Sequence, residues 1–179
     1  MQIVLQATAF STVSLVTGTP CQLYNVIFEN SPYLTQNAHS NSAETTLAVT
    51  DLRRLVVGNG CYNRVPEIDF SGCAALQKIR VGKFSLCMLS QLELRGLPEL
   101  ESVEIGAASF AKQEGRFGLK ACESVKEVRI GSGSFASFSE CVVEEVDSLE
   151  VLAMGELTDE NGCFGKADLQ LESRCVRWW

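Results

Sequence analysis

Residues 92–110 read LELRGLPELESVEIGAASF, and residues 117–135 read FGLKACESVKEVRIGSGSF. Superimposed with a 25-residue shift, their apolar letters, a glycine and a phenylalanine coincide. The charged letters between them change. A recurrence of this kind is the mark of a repeat architecture, and it extends well beyond these two copies. A glycine closes the apolar run at Gly58, Gly82, Gly106, Gly131 and Gly155, at spacings of 24 or 25 residues. One residue before each stands Val57, Val81, Ile105, Ile130 or Met154, and three before stands Leu55, Ile79, Val103, Val128 or Leu152. Six before are Leu52, Leu76, Leu100, Val125 and Leu149, and nine before are Val49, Cys73, Leu97, Cys122 and Val146. Twelve before come Thr46, Phe70, Leu94, Leu119 and Val143, among which Thr46 alone is polar.

Weaker copies flank this block. Leu23, Val26 and Phe28 hold the same offsets before Glu29, as do Ile3 and Leu5 before Gln6. Leu169 and Leu171 restart the pattern near Trp178 and Trp179. We therefore expect one repeat solenoid over residues 1–179. Its strong repeats span 46–155. A degenerate repeat covers 1–45, interrupted by a polar loop at 35–45, and a partial terminal repeat covers 156–179.

The alternation inside each unit gives the local structure. Leu55/Val57, Ile79/Val81 and Val103/Ile105 point to one face of a short strand, as do Val128/Ile130 and Leu152/Met154. A second alternation at Ile68/Phe70, Leu92/Leu94 and Phe117/Leu119 predicts a strand on the opposite wall of the coil. The glycine is expected to permit a sharp bend, and the following phenylalanine to fill the corner. No unit can bury its own apolar face, so the units must stack. The expected architecture is mainly β, of about seven coils with few or no helices.

The string L-x-x-L-x-I-G-x-x-x-F resembles the core of leucine-rich repeats. Its short period, its glycine and its Phe/Cys spine are similar to the BspA-like variety, common in proteins of protists and some bacteria. The resemblance is strong over residues 49–155. It departs from the plant and animal pattern because Gly60, Ala108 or Gly133 stands where an asparagine ladder would run. It implies a protein-binding solenoid.

Composition narrows the function. The net charge of −7 argues against nucleic-acid binding, which requires a basic surface. No apolar run reaches the length of a membrane span. The N-terminal stretch lacks the basic start of a signal peptide. The eight cysteines form no C-x-x-C pair and are read as reduced, mostly buried thiols. A cytoplasmic location is expected, with a surface-displayed segment of a longer chain as the alternative.

Chemistry finds little support. The single histidine, His39, lies in the polar loop NAHSNS and is read as a solvated residue. Gly131–Ser134 lacks the lysine of a phosphate-binding loop and sits where every repeat turns. Asp159–Gly162 fails as a calcium loop because Leu157 would occupy its first ligand position. We expect no enzyme activity, no catalytic residue, no metal and no cofactor.

The outward positions of the first strand remain. Arg53, Arg54, Lys78 and Arg80 form a basic end, followed by Glu104, Glu127 and Arg129, then by apolar Val151 and Ala153. One expectation is an ion ladder running Arg80–Glu104–Arg129. The other is a site for an acidic protein partner at the basic end. Uncapped ends also predict self-association, and a structural or adhesive segment of a longer array is the alternative function.

Overall fold

The computed structural model describes the backbone of residues 2–6 and 25–29, and in full residues 53–60, 68–156 and 162–172. The 35–45 loop with His39, the residues 159–161 and both tryptophans lie outside these residues. Every regular element among the described residues is a strand.

Four turns of the coil, from Lys78 onward, each place a four-residue strand on one wall and a five-residue strand on the other. The first wall is a parallel sheet whose early strands are β1 (Gln2–Gln6), β2 (Asn25–Glu29) and β3 (Arg54–Val57). It continues through β4 (Lys78–Val81), β6 (Ser102–Ile105), β8 (Glu127–Ile130) and β10 (Val151–Met154). The second wall is also parallel, with β5 (Gln91–Arg95), β7 (Arg116–Lys120), β9 (Glu140–Glu144) and β11 (Asp168–Glu172). Parallel sheets with both inner faces covered are what stacked coils produce. The molecule is a β-solenoid.

The repeat register survives in space. Leu55 pairs with Ile79, Ile79 with Val103, Val103 with Val128 and Val128 with Leu152. Those from Leu55 to Val128 are buried, as are Leu92, Leu94, Phe117, Leu119, Cys141 and Val143 on the opposite wall. These two rows face each other and form the core. The cysteines Cys73, Cys122, Cys141 and Cys163 are buried within it as free thiols. Burial pushes the Cys141 thiol up to about 12.

The count of turns differs from the expectation. Among the described residues the first wall has seven strands, and four turns also have a strand on the second wall. Ile68 and Phe70 keep their places, with Phe70 buried, yet they lie in no strand. The reason is local. The carboxylate of Asp69 accepts the Ser71 amide at 2.8 Å, which takes that donor out of any ladder. The same bond holds the Asp69 carboxyl below its usual range.

The glycines act differently from the expected bend. Gly82, Gly106 and Gly131 do not have left-handed backbones. A side chain at Gly106 would lie 2.6 Å from the Gly82 carbon, and one at Gly131 would lie 2.5 Å from the Ala107 amide. They are required because consecutive coils touch backbone to backbone there. The left-handed turns fall two and four residues later, at Phe84, Ala108 and Gly133, and at Leu86, Phe110 and Phe135.

A hydrogen-bonded ladder of serines runs up this corner. Ser85, Ser109 and Ser134 are completely buried. The Ser85 hydroxyl donates to the Gly58 carbonyl at 2.7 Å, Ser109 to Gly82 at 2.9 Å and Ser134 to Gly106 at 2.7 Å. Two of these hydroxyls also serve the coil before them: the Ser85 amide donates to Ser109 Oγ and the Ser109 amide to Ser134 Oγ. In the next turn Cys163 stands in the serine's place and donates to the Gly131 carbonyl. Beside the ladder, Phe135 stacks between Phe110 at 4.5 Å and Phe164 at 4.9 Å. Offset stacks of this kind add to the area they bury.

Candidate protein-binding face

The outward side chains of the first sheet form two rows that cross its strands. Along one row Arg54 lies opposite Lys78, Lys78 opposite Ser102, Ser102 opposite Glu127 and Glu127 opposite Val151. Along the other Val56 lies opposite Arg80, then come Glu104, Arg129 and Ala153. Six of the seven sequence-predicted site residues therefore share one face. Arg53 is exposed one residue before β3, and its carbonyl accepts the Gln77 amide of the next coil.

The expected Arg80–Glu104–Arg129 ladder is only half formed. Arg80 Nε lies 3.2 Å from Glu104 Oε2. Arg129 instead pairs with Glu127, two residues away on its own strand. Both pairs are largely exposed, so each contributes well under about 1 kcal/mol. The middle of the face is thus electrically satisfied.

Toward the other end of the face, the first row sets like charges side by side. Arg54 and Lys78 are direct neighbours across a parallel pair, and both are exposed. No acid is placed opposite either of them along that row until Glu127, two strands beyond Lys78. Like charges directly opposed across strands weaken the sheet. The sheet accepts this cost at one position, while in the other row Arg80 is paired with Glu104.

The second sheet contrasts with it. Arg116 pairs with Glu140 at 2.7 Å, and Lys120 with Glu144 at 2.5 Å. The hydrogen bond to Glu144 raises the Lys120 pKa. Glu93 folds over Gly118, where an added Cβ would lie 2.1 Å from its carboxylate oxygen. Burial of that carboxylate raises its pKa. The turns leading from the second sheet back to the first carry an acidic recess, bordered by Glu123, Glu144, Glu145, Asp147 and Glu172. Its carboxylates have Lys120 beside them.

Reading by periodicity places the outward residues, because alternation decides which side chain faces out. It does not reveal which charges pair. Sequence reasoning also passed over Ser85, Ser109, Ser134 and Cys163. The signal was an S-L or S-F pair three residues after Gly82, Gly106 and Gly131, with C-F continuing it at 163–164. No family model matches the chain, and neither a curated protein nor a solved structure matches it.

Proposed function

We propose that this chain is a non-enzymatic protein-binding module of the leucine-rich-repeat type, with BspA-like short repeats. Its partner is an acidic protein surface that docks on the outward face of the first sheet. Arg53, Arg54, Lys78 and Arg80 would make the primary contacts, with Glu104, Glu127 and Arg129 setting register. The opposed Arg54–Lys78 pair carries this reading, because it costs stability in the free protein and an acidic partner would relieve it. The rigid core supports it as well, since inward residues hold the backbone while outward ones are free to vary.

The test is capture of partners on immobilised protein, with Arg54→Glu/Lys78→Glu as the comparison. Both side chains are exposed, so the fold should survive, as circular dichroism would verify. A partner that binds wild type, elutes with moderate salt and is lost by the variant supports the reading. Partners retained equally by both proteins would refute it.

A second reading rests on a different observation. Among the described residues, β10 and β11 are the last strands of their sheets, and Leu169 is 43% exposed while Cys141 beside it is fully buried. Such an uncovered coil favours a structural or adhesive role in which copies of the solenoid stack on one another. Concentration-dependent self-association, blocked by Leu169→Lys, would favour this second reading.

A further inference from the structure

The two sets of turns that join the sheets are chemically unlike. The return turns at 96–101, 121–126 and 145–150 carry Glu99, Glu101, Glu123, Glu145, Asp147 and Glu150 against the single cation Lys126. The outbound turns at 82–90, 106–115 and 131–139 carry only Lys83, Lys112 and Glu114. At the far end of the stack, the described residues of the last outbound turn add Glu156 and Lys166, which cancel. In a chain of net charge −7, one side of the solenoid is thus close to neutral and slightly basic.

That side also holds an unusual apolar pair. Phe84 is 61% exposed and Met88 is 46% exposed. The other large exposed apolar side chains among the described residues, Val151 and Leu169, sit on the last strands instead. Phe84 moreover has a left-handed backbone, φ 54°. The same corner is filled by Gly60, Ala108 and Gly133 in other coils. A bulky residue is poorly suited to this conformation, and an exposed one gains nothing from packing. The fold needs a left-handed residue there, not an aromatic one. The next coil continues the surface with the small residues Ala107 and Ala108, and the Phe84 amide donates to the Ala107 carbonyl at 3.0 Å.

We infer that this outbound side docks on a lipid surface bearing anionic headgroups, with Phe84 and Met88 entering the headgroup layer. Projecting apolar side chains beside Lys83 and Lys112 suit a bilayer, which deforms around them and attracts the cations. A protein partner would have to supply a matching pocket. The acidic return side would face away from the anionic lipid, so charge alone sets the orientation. This site is separate from the Arg54–Lys78 face, and the two proposals stand or fall independently.

The test is co-sedimentation of the full chain with vesicles of phosphatidylcholine alone and of phosphatidylcholine with phosphatidylserine. Wild type should sediment with the anionic vesicles and release in high salt. Phe84→Gly should weaken partition by about tenfold. It should keep or raise the thermal midpoint, because glycine accepts the left-handed backbone. Lys83→Glu/Lys112→Glu should reduce binding by about fivefold per cation removed. If Phe84→Gly fails to fold, Met88→Ser tests the same contact and should also weaken binding. Wild type that ignores both vesicles, or a folded Phe84→Gly that sediments as wild type does, would overturn the inference. So would loss of a captured protein on Phe84→Gly in a chain that binds no vesicles, which would assign the side to a protein pocket.

Discussion

Removing one hydroxyl from the serine ladder should destabilise the solenoid far more than its size suggests. In Ser109→Ala the Gly82 carbonyl loses the donor held at 2.9 Å, and the Ser85 amide loses the acceptor held at 3.2 Å. Ser85 and Ser109 are both completely buried and Gly82 is half-buried, so water cannot readily replace the bond to the Ser85 amide. A buried polar group left without its partner costs about 1–3 kcal/mol. The buried amide and the half-buried carbonyl together, less the relief of no longer burying the hydroxyl, give a loss of about 3 kcal/mol. For a chain of this size that corresponds to a thermal shift of roughly 6–12 °C. The assay is urea and thermal unfolding followed by circular dichroism. Ser132→Ala is the control, since Ser132 is exposed two residues before the ladder position of its coil. It should change stability by no more than about 0.5 kcal/mol. If Ser109→Ala also cost less than about 0.5 kcal/mol, the ladder would carry no net stability and the reasoning would fail.

Two further expectations concern the repeat itself. Val103→Asp places a charge at a position 1% exposed and should unfold the coils around it, by about 3 kcal/mol or more in denaturant titration. Glu104→Lys, one residue on and facing outward, breaks the exposed pair with Arg80 and sets a cation between Arg80 and Arg129, yet should stay within about 1 kcal/mol because all three side chains are exposed. Ala121→Gly should stabilise the fold by up to about 1 kcal/mol, because Ala121 has φ 51° where the preceding coil has Gly96. A clear loss of thermal midpoint in that variant would show that the Ala121 side chain contributes more than its backbone costs.

The repeat was legible because inward positions are constrained by burial alone. Val103 and Val128 must be apolar, and any apolar residue of similar size satisfies the contact. Such a constraint leaves a periodic trace in the chain. The pairings of charged side chains leave none. Glu104 was expected to bridge Arg80 and Arg129, but Arg129 turns to Glu127 on its own strand. Both arrangements satisfy the same sequence, and their energies differ by less than the entropy of a long side chain. Ile68 and Phe70 illustrate a local override. Their alternation matches that of Leu92 and Leu94, yet the Asp69 carboxylate takes the Ser71 amide and the strand does not form.

From the sequence alone, the 24- and 25-residue period, the mainly β class and the identity of the inward residues could be derived. Each follows from the need of every coil to bury one face on the next, a need written in the order of apolar letters. The tertiary structure decided what those letters could not express. It showed that Gly106 and Gly131 serve close contact between coils, and that Ser85, Ser109 and Ser134 join into one ladder. It also showed that Cys163 and Phe164 continue the corner across a longer turn. These roles depend on which atoms of one coil lie above those of another. That distance is set by stacking, and no single coil contains it.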